Sequence, residues 1–388
     1  MRGIRLGSVL GFEIRIDYSW FVIAFLILWS FSAGVFPERF PGLTPLAYLA
    51  MGIVGAVLFF VSLLAHELSH SLVARARGIP VDAITLFVFG GVAHIRKEAE
   101  TPEEELVIAG VGPLCSTMIA VLFTGVWWLG LRLGWPVAVT GVAQYLGMLN
   151  LILALFNLLP GFPLDGGRLF RALVWRFTGS LTKATRWASN GGKTLGYVLM
   201  GLGALEVMAG LVVGGLWLVF IGWFLRTAAE VSYEQHMLGG LLSSTVAGDL
   251  MTADPSTASP GTSITELVER LLREPHQAYP VLTEGSVVGL VSLDQVKRTP
   301  RSEWSVTRVA DVMEGPKELV VPVHAPVSDV LATMRASRSN RVMVVDDHSG
   351  LVGIISGSDV ARWIQKQRML AELTGVPPAH SATKETAR

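Results

Sequence analysis

Two histidines one helical turn apart flank a carboxylate in the stretch His66-Glu67-Leu68-Ser69-His70. Residues four apart fall on one face of a helix, so the two imidazoles could share one metal ion. Glu67 would stand beside that ion, where a carboxylate can take a proton from a water that the metal activates. The surrounding residues, 52–65 and 71–74, are almost wholly apolar. Two imidazoles and a carboxylate are costly at membrane depth, and residues kept there at that cost point to function.

Catalytic zinc takes three protein ligands and leaves one position open. A third ligand is available in Asn157-Leu-Leu-Pro160-Gly161-Phe-Pro163-Leu-Asp165-Gly166-Gly167-Arg168. Its prolines break a helix, and its glycines permit unusual backbone angles. Irregular backbone is tolerated at membrane depth only where protein or water covers it. Asp165 taken alone would read better as the N-cap of a helix over Gly166–Phe177. Its expected depth, matched to that of the two histidines, favours ligation. His94, in an expected loop, is a weaker candidate.

The elements that must position these groups follow from composition. Hydrophobic residues make up 51% of the 388 and charged residues 16%, where a soluble domain carries about 25% charged. Thirty-one basic residues balance 31 acidic ones, which leaves no nucleic-acid footprint. A single cysteine, Cys115, excludes an intrachain disulfide and a cysteine-based zinc cluster.

The long apolar runs end near residue 230. Six spans are expected, at about 18–36, 48–74, 106–131, 137–159, 194–209 and 211–228, with Gly210 or Gly214-Gly215 turning the chain between the last two. Glu13, Arg15 and Asp17 interrupt the start before any long apolar core, unlike a signal peptide, and Glu13–Asp17 alternates as a short surface strand would. Basic residues cluster before the first span and after the second, fourth and sixth. That asymmetry predicts a multi-pass protein of the cell membrane with both termini cytoplasmic and the metal nearer the cytoplasmic side.

The residues His66-Glu67-x-x-His70 and Asn157-x-x-Pro160-x-x-Pro163-x-Asp165-Gly166 resemble the site-2 proteases, intramembrane zinc metalloproteases of peptidase family M50. The resemblance covers about residues 1–230 and includes Gly112-Pro113. It implies zinc ligation by His66, His70 and Asp165, Glu67 as general base, and Asn157 as a holder of the substrate backbone or transition state. One branch of that family carries a PDZ domain between spans. The expected loop from Arg132 to Val137 leaves no room for one. A transmembrane substrate would have to unwind locally and would gain from pairing with an enzyme strand. The β-prone stretch Ala83–Ile95, with Gly90-Gly91, is expected to form a membrane-associated strand or hairpin near the site, or else a buried loop strand.

The remainder divides into a linker at 231–245, a repeat at 246–366 and a disordered tail at 367–388. Asp249-Leu-Met251 recurs as Asp311-Val-Met313, and each copy is followed by a short helix and two strands. The units, about 246–300 and 309–366, resemble a tandem of CBS domains, a module that often binds adenine nucleotides. The ribose-contacting pattern is Ser356-Gly-Ser-Asp359 in the second unit, but Ser292-Leu-Asp-Gln295 in the first. The resemblance therefore implies ATP, ADP or AMP at Ser356 and Asp359, or a packing module without ligand.

The fold expected is a polytopic α-helical membrane domain with a short β element, followed by a cytoplasmic α/β CBS pair. Expected partners are the lipid bilayer, a membrane-spanning substrate such as an anti-sigma or pro-sigma regulator, and a second copy through the CBS domains. The competing reading is a CBS-regulated transporter or channel with a metal site. Against it, no second polar path crosses the spans and no half-to-half repeat is evident in 1–230.

Overall fold

The computed structural model describes residues 3–88, 90–95, 99–274, 276–316, 319–337 and 339–374. The chain divides into two compact units, Met1–Glu234 and Gln235–Arg388.

The first unit begins with a hairpin, β1 (Gly3–Val9) and β2 (Phe12–Asp17), turned at Leu10 and Gly11, which both have positive φ. Alternation in β2 buries Phe12, Ile14 and Ile16. Asp17 caps α1 (Tyr18–Trp29) by accepting from the Ser19 N–H at 2.9 Å. The helix runs through a π-turn, Ser30–Val35, into α2 (Phe36–Arg39).

Next comes α3 (Pro45–Ala76), capped by Thr44 and 32 residues long. At 1.5 Å per residue it is about 48 Å, longer than the ~30 Å hydrocarbon layer. The His-Glu-x-x-His stretch lies in its last third, and Leu68 there packs on Phe12, Ile14 and Ile84. Two strands follow, β3 (Val81–Phe87) and β4 (Gly90–Ile95), paired antiparallel. The sheet order is β1-β2-β3-β4, with β2 and β3 parallel, so β4 is an edge.

Four longer helices and one short one follow: α4 (Pro102–Leu133), α5 (Val137–Asn157), α6 (Asp165–Thr178), α7 (Leu181–Met208) and α8 (Val212–Ser244), the last running past the end of the unit. Gly134, in the left-handed region at φ 68°, ends α4, and only Gly134–Pro136 separate it from α5. Large apolar side chains such as Phe25, Val121, Leu151 and Trp223 are exposed on these helices, as surfaces facing lipid require.

Among the described residues, five helical segments are long and apolar enough to cross a membrane: Tyr18–Arg39, Pro45–Ala76, Pro102–Leu133, Val137–Asn157 and Val212–Gly240. The expected fifth span, 194–209, is not among them. It is the later part of α7, whose first turns carry Lys183, Arg186 and Lys193. The chain turns at Gly210 (φ 90°), whereas Gly215 lies inside α8. There α7 and α8 approach through glycines: a Cβ on Gly203 would lie 2.5 Å from the Gly215 carbonyl, and one on Gly196 would lie 2.6 Å from that of Gly222. Small residues at such crossings let backbones touch.

The segment expected as a linker, 231–245, is helical almost throughout, as the continuation of α8 to Ser244. Ala, Glu, Gln, Met and Leu recur there, and a change from apolar to polar is no helix stop when the residues remain good helix formers.

The second unit contains two similar halves. The first comprises α9 (Ala247–Leu250), β5 (Thr252–Ala253), α10 (Ile264–Arg273), β6 (Ala278–Thr283), β7 (Ser286–Ser292) and α11 (Leu293–Arg298). The second comprises α12 (Val309–Val312), β8 (Val320–Pro322), α13 (Val327–Ala336), β9 (Arg341–Val345), β10 (Leu351–Ser356) and α14 (Gly357–Thr374). The halves exchange their leading segments. β5 joins the second half's sheet beside β10, and Glu314 bridges to Leu290 of β7 in the first.

The repeated Asp-x-Met explains this exchange. Met251 packs on Gly353, where a Cβ would lie 2.5 Å from its sulfur, and Met313 packs on Gly289 at 2.8 Å. Ala278, Leu290, Leu319 and Met343 form a core shared by both halves. Residues 367–374, expected in the tail, are instead the end of α14, which continues to Thr374 over helix-forming residues. Residues 375–388 lie outside the described residues.

Candidate metal centre

Three side chains from two elements meet at one point. His66 and His70 come from α3, and Asp165 is the first residue of α6. His66 Nε2 and His70 Nε2 each lie 3.0 Å from Asp165 Oδ2, and 3.3 Å from one another. Four ligands set tetrahedrally at zinc's usual bond lengths would be about 3.3 Å apart. Both histidines are buried. Asp165 does not act as a cap, since the N-cap of α6 is Leu164, without a side-chain hydrogen bond.

The far nitrogen of each ring is also engaged. His70 Nδ1 donates to the Ile108 carbonyl at 2.6 Å, which leaves the Nε2 lone pair facing the cluster. His66 Nδ1 meets Ser116 Oγ at 2.9 Å. Such partners fix the orientation of ligating imidazoles. Two imidazole nitrogens and a carboxylate oxygen held this close repel unless a cation or proton lies between them. The three could hold a metal ion, and two imidazoles with one carboxylate are a donor set that zinc accepts.

One face of α4 serves the whole centre. Glu105, Ile108, Gly112 and Ser116 recur at intervals of three and four, and all are buried. A Cβ on Gly112 would lie 2.1 Å from His70 Nε2 and 2.7 Å from His66 Nε2, so only glycine leaves space at the ligand atoms. Below it, Arg171 of α6 donates through Nε to both oxygens of Glu105, at 2.8 and 3.0 Å, and through a further, shorter contact. Glu105 is 0% exposed and Arg171 8%. Arg171 also lies over the Phe162 ring, 5.3 Å from its centroid.

Glu67 turns toward the sheet. A Cβ on Gly91 of β4 would lie 2.4 Å from Glu67 Cγ, so the edge strand runs directly against this carboxylate. The segment expected to form a hairpin near the site therefore does so. His94 is in β4, and its side chain lies outside the described residues. Asn157 is the last residue of α5, and its Nδ2 donates to the Leu153 carbonyl at 3.0 Å.

The loop between Asn157 and Asp165 is covered by α7. The Phe162 N–H donates to the Ala188 carbonyl at 3.1 Å, and a Cβ on Gly192 would strike the Phe162 oxygen at 2.0 Å. The Phe162-Pro163 peptide bond is cis.

Ser356 and Asp359 lie together at the β10–α14 junction in the second unit. Asp359 Oδ2 accepts from the Ser356 N–H at 2.8 Å and hydroxyl at 2.6 Å, and Arg362 reaches its other oxygen. In the first half Gln295 does the same for Ser292, accepting from its N–H at 2.9 Å. Gln295 also donates to Glu314 at 2.6 Å.

Little in the sequence marks Ser116, the Ile108 carbonyl or the Glu105–Arg171 pair as parts of this centre. A backbone carbonyl carries no sequence signal, and partners 66 residues apart share no motif. The one available hint was a run of three glutamates, 103–105, at the head of an apolar segment.

A His-Glu-x-x-His helix with an Asp from a second helix, in a bundle of membrane-length helices, defines a metal-dependent peptidase of the membrane. The comparisons agree. The model of peptidase family M50 matches residues 54–131 and 135–200, and the CBS domain model matches 247–301 and 309–366. Rip3 of Mycobacterium tuberculosis, named provisionally as a zinc metalloprotease, is 38% identical over 94% of each chain. A zinc metalloprotease of Methanocaldococcus jannaschii is 30% identical over 95% of this chain and 98% of its own. The solved site-2 protease from that organism is 28% identical, covering 60% of this chain and 95% of that one, with a TM-score of 0.42. The chain belongs to peptidase family M50: it is a zinc metalloprotease of the membrane joined to a pair of CBS domains.

Proposed function

We propose that the protein cleaves a peptide bond within or beside a transmembrane segment of a membrane protein, at a zinc ion held by His66, His70 and Asp165. The convergence of those three ligand atoms within 3.3 Å is the observation that carries this reading. When bound, zinc supplies a Lewis acid that polarises a carbonyl and brings the pKa of a water toward about 7. Glu67 accepts the proton of that water and returns it to the leaving amine. Asn157 holds the substrate backbone once its amide leaves the Leu153 carbonyl. The free edge of β4 takes the unwound substrate as an added strand, beside Glu67.

Orientation with both termini and the CBS pair cytoplasmic is part of the same proposal. It rests on the basic residues before the first span and after the second, fourth and sixth; of those after the fourth, Arg171 and Arg176 pair with Glu105 and Glu103. The substrate class is a membrane-anchored regulator of the anti-sigma or pro-sigma type. Adenine nucleotide at Ser356 and Asp359 regulates the protease, and the CBS domains support a homo-oligomer. The transport reading gains nothing, since the polar groups converge on a point rather than line a path.

The test is Glu67→Gln in full-length protein reconstituted with a transmembrane substrate. Zinc stays bound at one equivalent and cleavage falls by at least about 10³-fold, the scale of a lost general base with its positioning. Cleavage at wild-type rate would overturn the mechanism.

A further inference from the structure

We propose that Glu105 and Arg171 are positioning residues that set the depth and angle of α6, and hence hold Asp165 against the two histidines. The inference rests on the zinc site proposed above and concerns a pair in contact with neither substrate nor ligands.

Asp165, Arg168 and Arg171 follow one another at intervals of three along α6. Glu105 accepts both fork nitrogens of Arg171, and Arg168 Nε lies 3.9 Å away. Asp165 and Arg171 are six residues apart, or about 9 Å along a helix. The pair therefore fixes α6 to α4 less than two turns from the ligand. On α4, Glu105 lies one turn before Ile108, whose carbonyl orients His70, and two before Gly112 at the ligand atoms. One helix thus fixes the histidine rings directly and the carboxylate through the ion pair. Arg171 extends the tie to the loop by lying over Phe162.

Stability alone does not account for such a pair. A buried carboxylate and guanidinium lose most of their hydration, and apolar residues of similar volume commonly stabilise as well or better. What a bidentate fork adds is direction, because guanidinium and carboxylate are planar and meet in one register. A second ion pair joins the same helices, Glu103 with Arg176, but both side chains are 55% exposed. It is the internal control, since an exposed pair contributes little.

The experiment uses full-length protein in detergent. Zinc retention is titrated against graded chelator, and the visible spectrum of the cobalt-substituted form reports ligand geometry. Two variants are made in parallel: Glu105→Gln, and the double substitution Glu105→Leu with Arg171→Met, which removes both charges without stranding either. Each is expected to weaken zinc retention by about 10- to 100-fold, the cost typical of lost outer-sphere partners, and to alter the cobalt spectrum. The double variant should keep wild-type thermal stability, and Glu103→Gln should change neither readout. Should Glu105→Gln fail to fold, the double variant decides alone. Wild-type retention and spectrum in the folded double variant would overturn the proposal. Failure of the unaltered protein to bind zinc would instead overturn the metal site itself.

Discussion

His66 and Asp165 are 99 residues apart and His70 and Ile108 are 38, yet each pair meets within 3.0 Å. Ser356 and Asp359, three apart, are satisfied chiefly by one another. Both clusters were visible as short motifs. In the first unit, polar groups from separate helices converge and leave lone pairs aimed at a shared point. In the second, the same kinds of atoms close a local ring at a helix start, where a serine and an acid or amide three residues on commonly satisfy each other. Convergence from a distance has no local explanation, and so it carries a function. Local closure has one, so a ligand there must compete with a bond already made.

The largest test of this contrast is Gly112→Ala. The added methyl would lie within 2.7 Å of both histidine Nε2 atoms. Neither ring can retreat without breaking its bond to Ile108 or Ser116. Zinc content should fall from one equivalent to near zero, and proteolysis by at least about 10³-fold, as when a catalytic element is removed. Retained zinc would mean that the ligands converge less tightly than their distances indicate.

Gly91→Ala should have a smaller effect of a different kind. The atoms it meets, Glu67 Cγ and Cδ at 2.4 and 2.9 Å, belong to a flexible side chain that can swing away. Stability and zinc content should stay near wild type while turnover falls by about 10- to 100-fold, since a misplacement of about 1 Å can cost that much. Measuring kcat and bound zinc on one preparation separates this outcome from ligand loss.

What could be read in advance follows the same division. His66, His70 and Asp165 were legible because the first two repeat at helical spacing and the third sits where two prolines and three glycines break a helix. The hairpin at 81–95 was legible from β-branched and aromatic residues around a glycine pair. The exchange of β5 between halves was not, although Met251, Gly353, Met313 and Gly289 carry its trace. Arg171 carries no local sign of its role because its partner, Glu105, lies 66 residues away on another helix. The end of α8 was hidden by composition: charges at 230 and 234 resemble a boundary, while helix propensity continues past it.

The smallest predicted effect compares the two halves of the second unit. Burial works to raise the carboxyl pKa of Asp359, but hydrogen bonds from the Ser356 hydroxyl and N–H, aided by Arg362, outweigh it and hold the group below the usual carboxylate range. A carboxyl depressed in the folded state contributes stability that is present above its unfolded pKa, near 4, and is lost as pH falls through the folded value. Gln295 makes the equivalent bonds with an amide that does not titrate. Asp359→Ala should therefore cost about 1 kcal/mol at neutral pH, the typical worth of such a cap, and progressively less below about pH 4. Gln295→Ala should cost a similar amount at either pH. Thermal unfolding of the full-length protein at pH 7 and at the lowest pH that preserves the fold measures both. If adenine nucleotide occupies Ser356 and Asp359, saturating AMP should raise the midpoint of the wild type and not of Asp359→Ala. An equal rise in both would place the nucleotide elsewhere and leave the Ser356–Asp359 ring as a helix start alone.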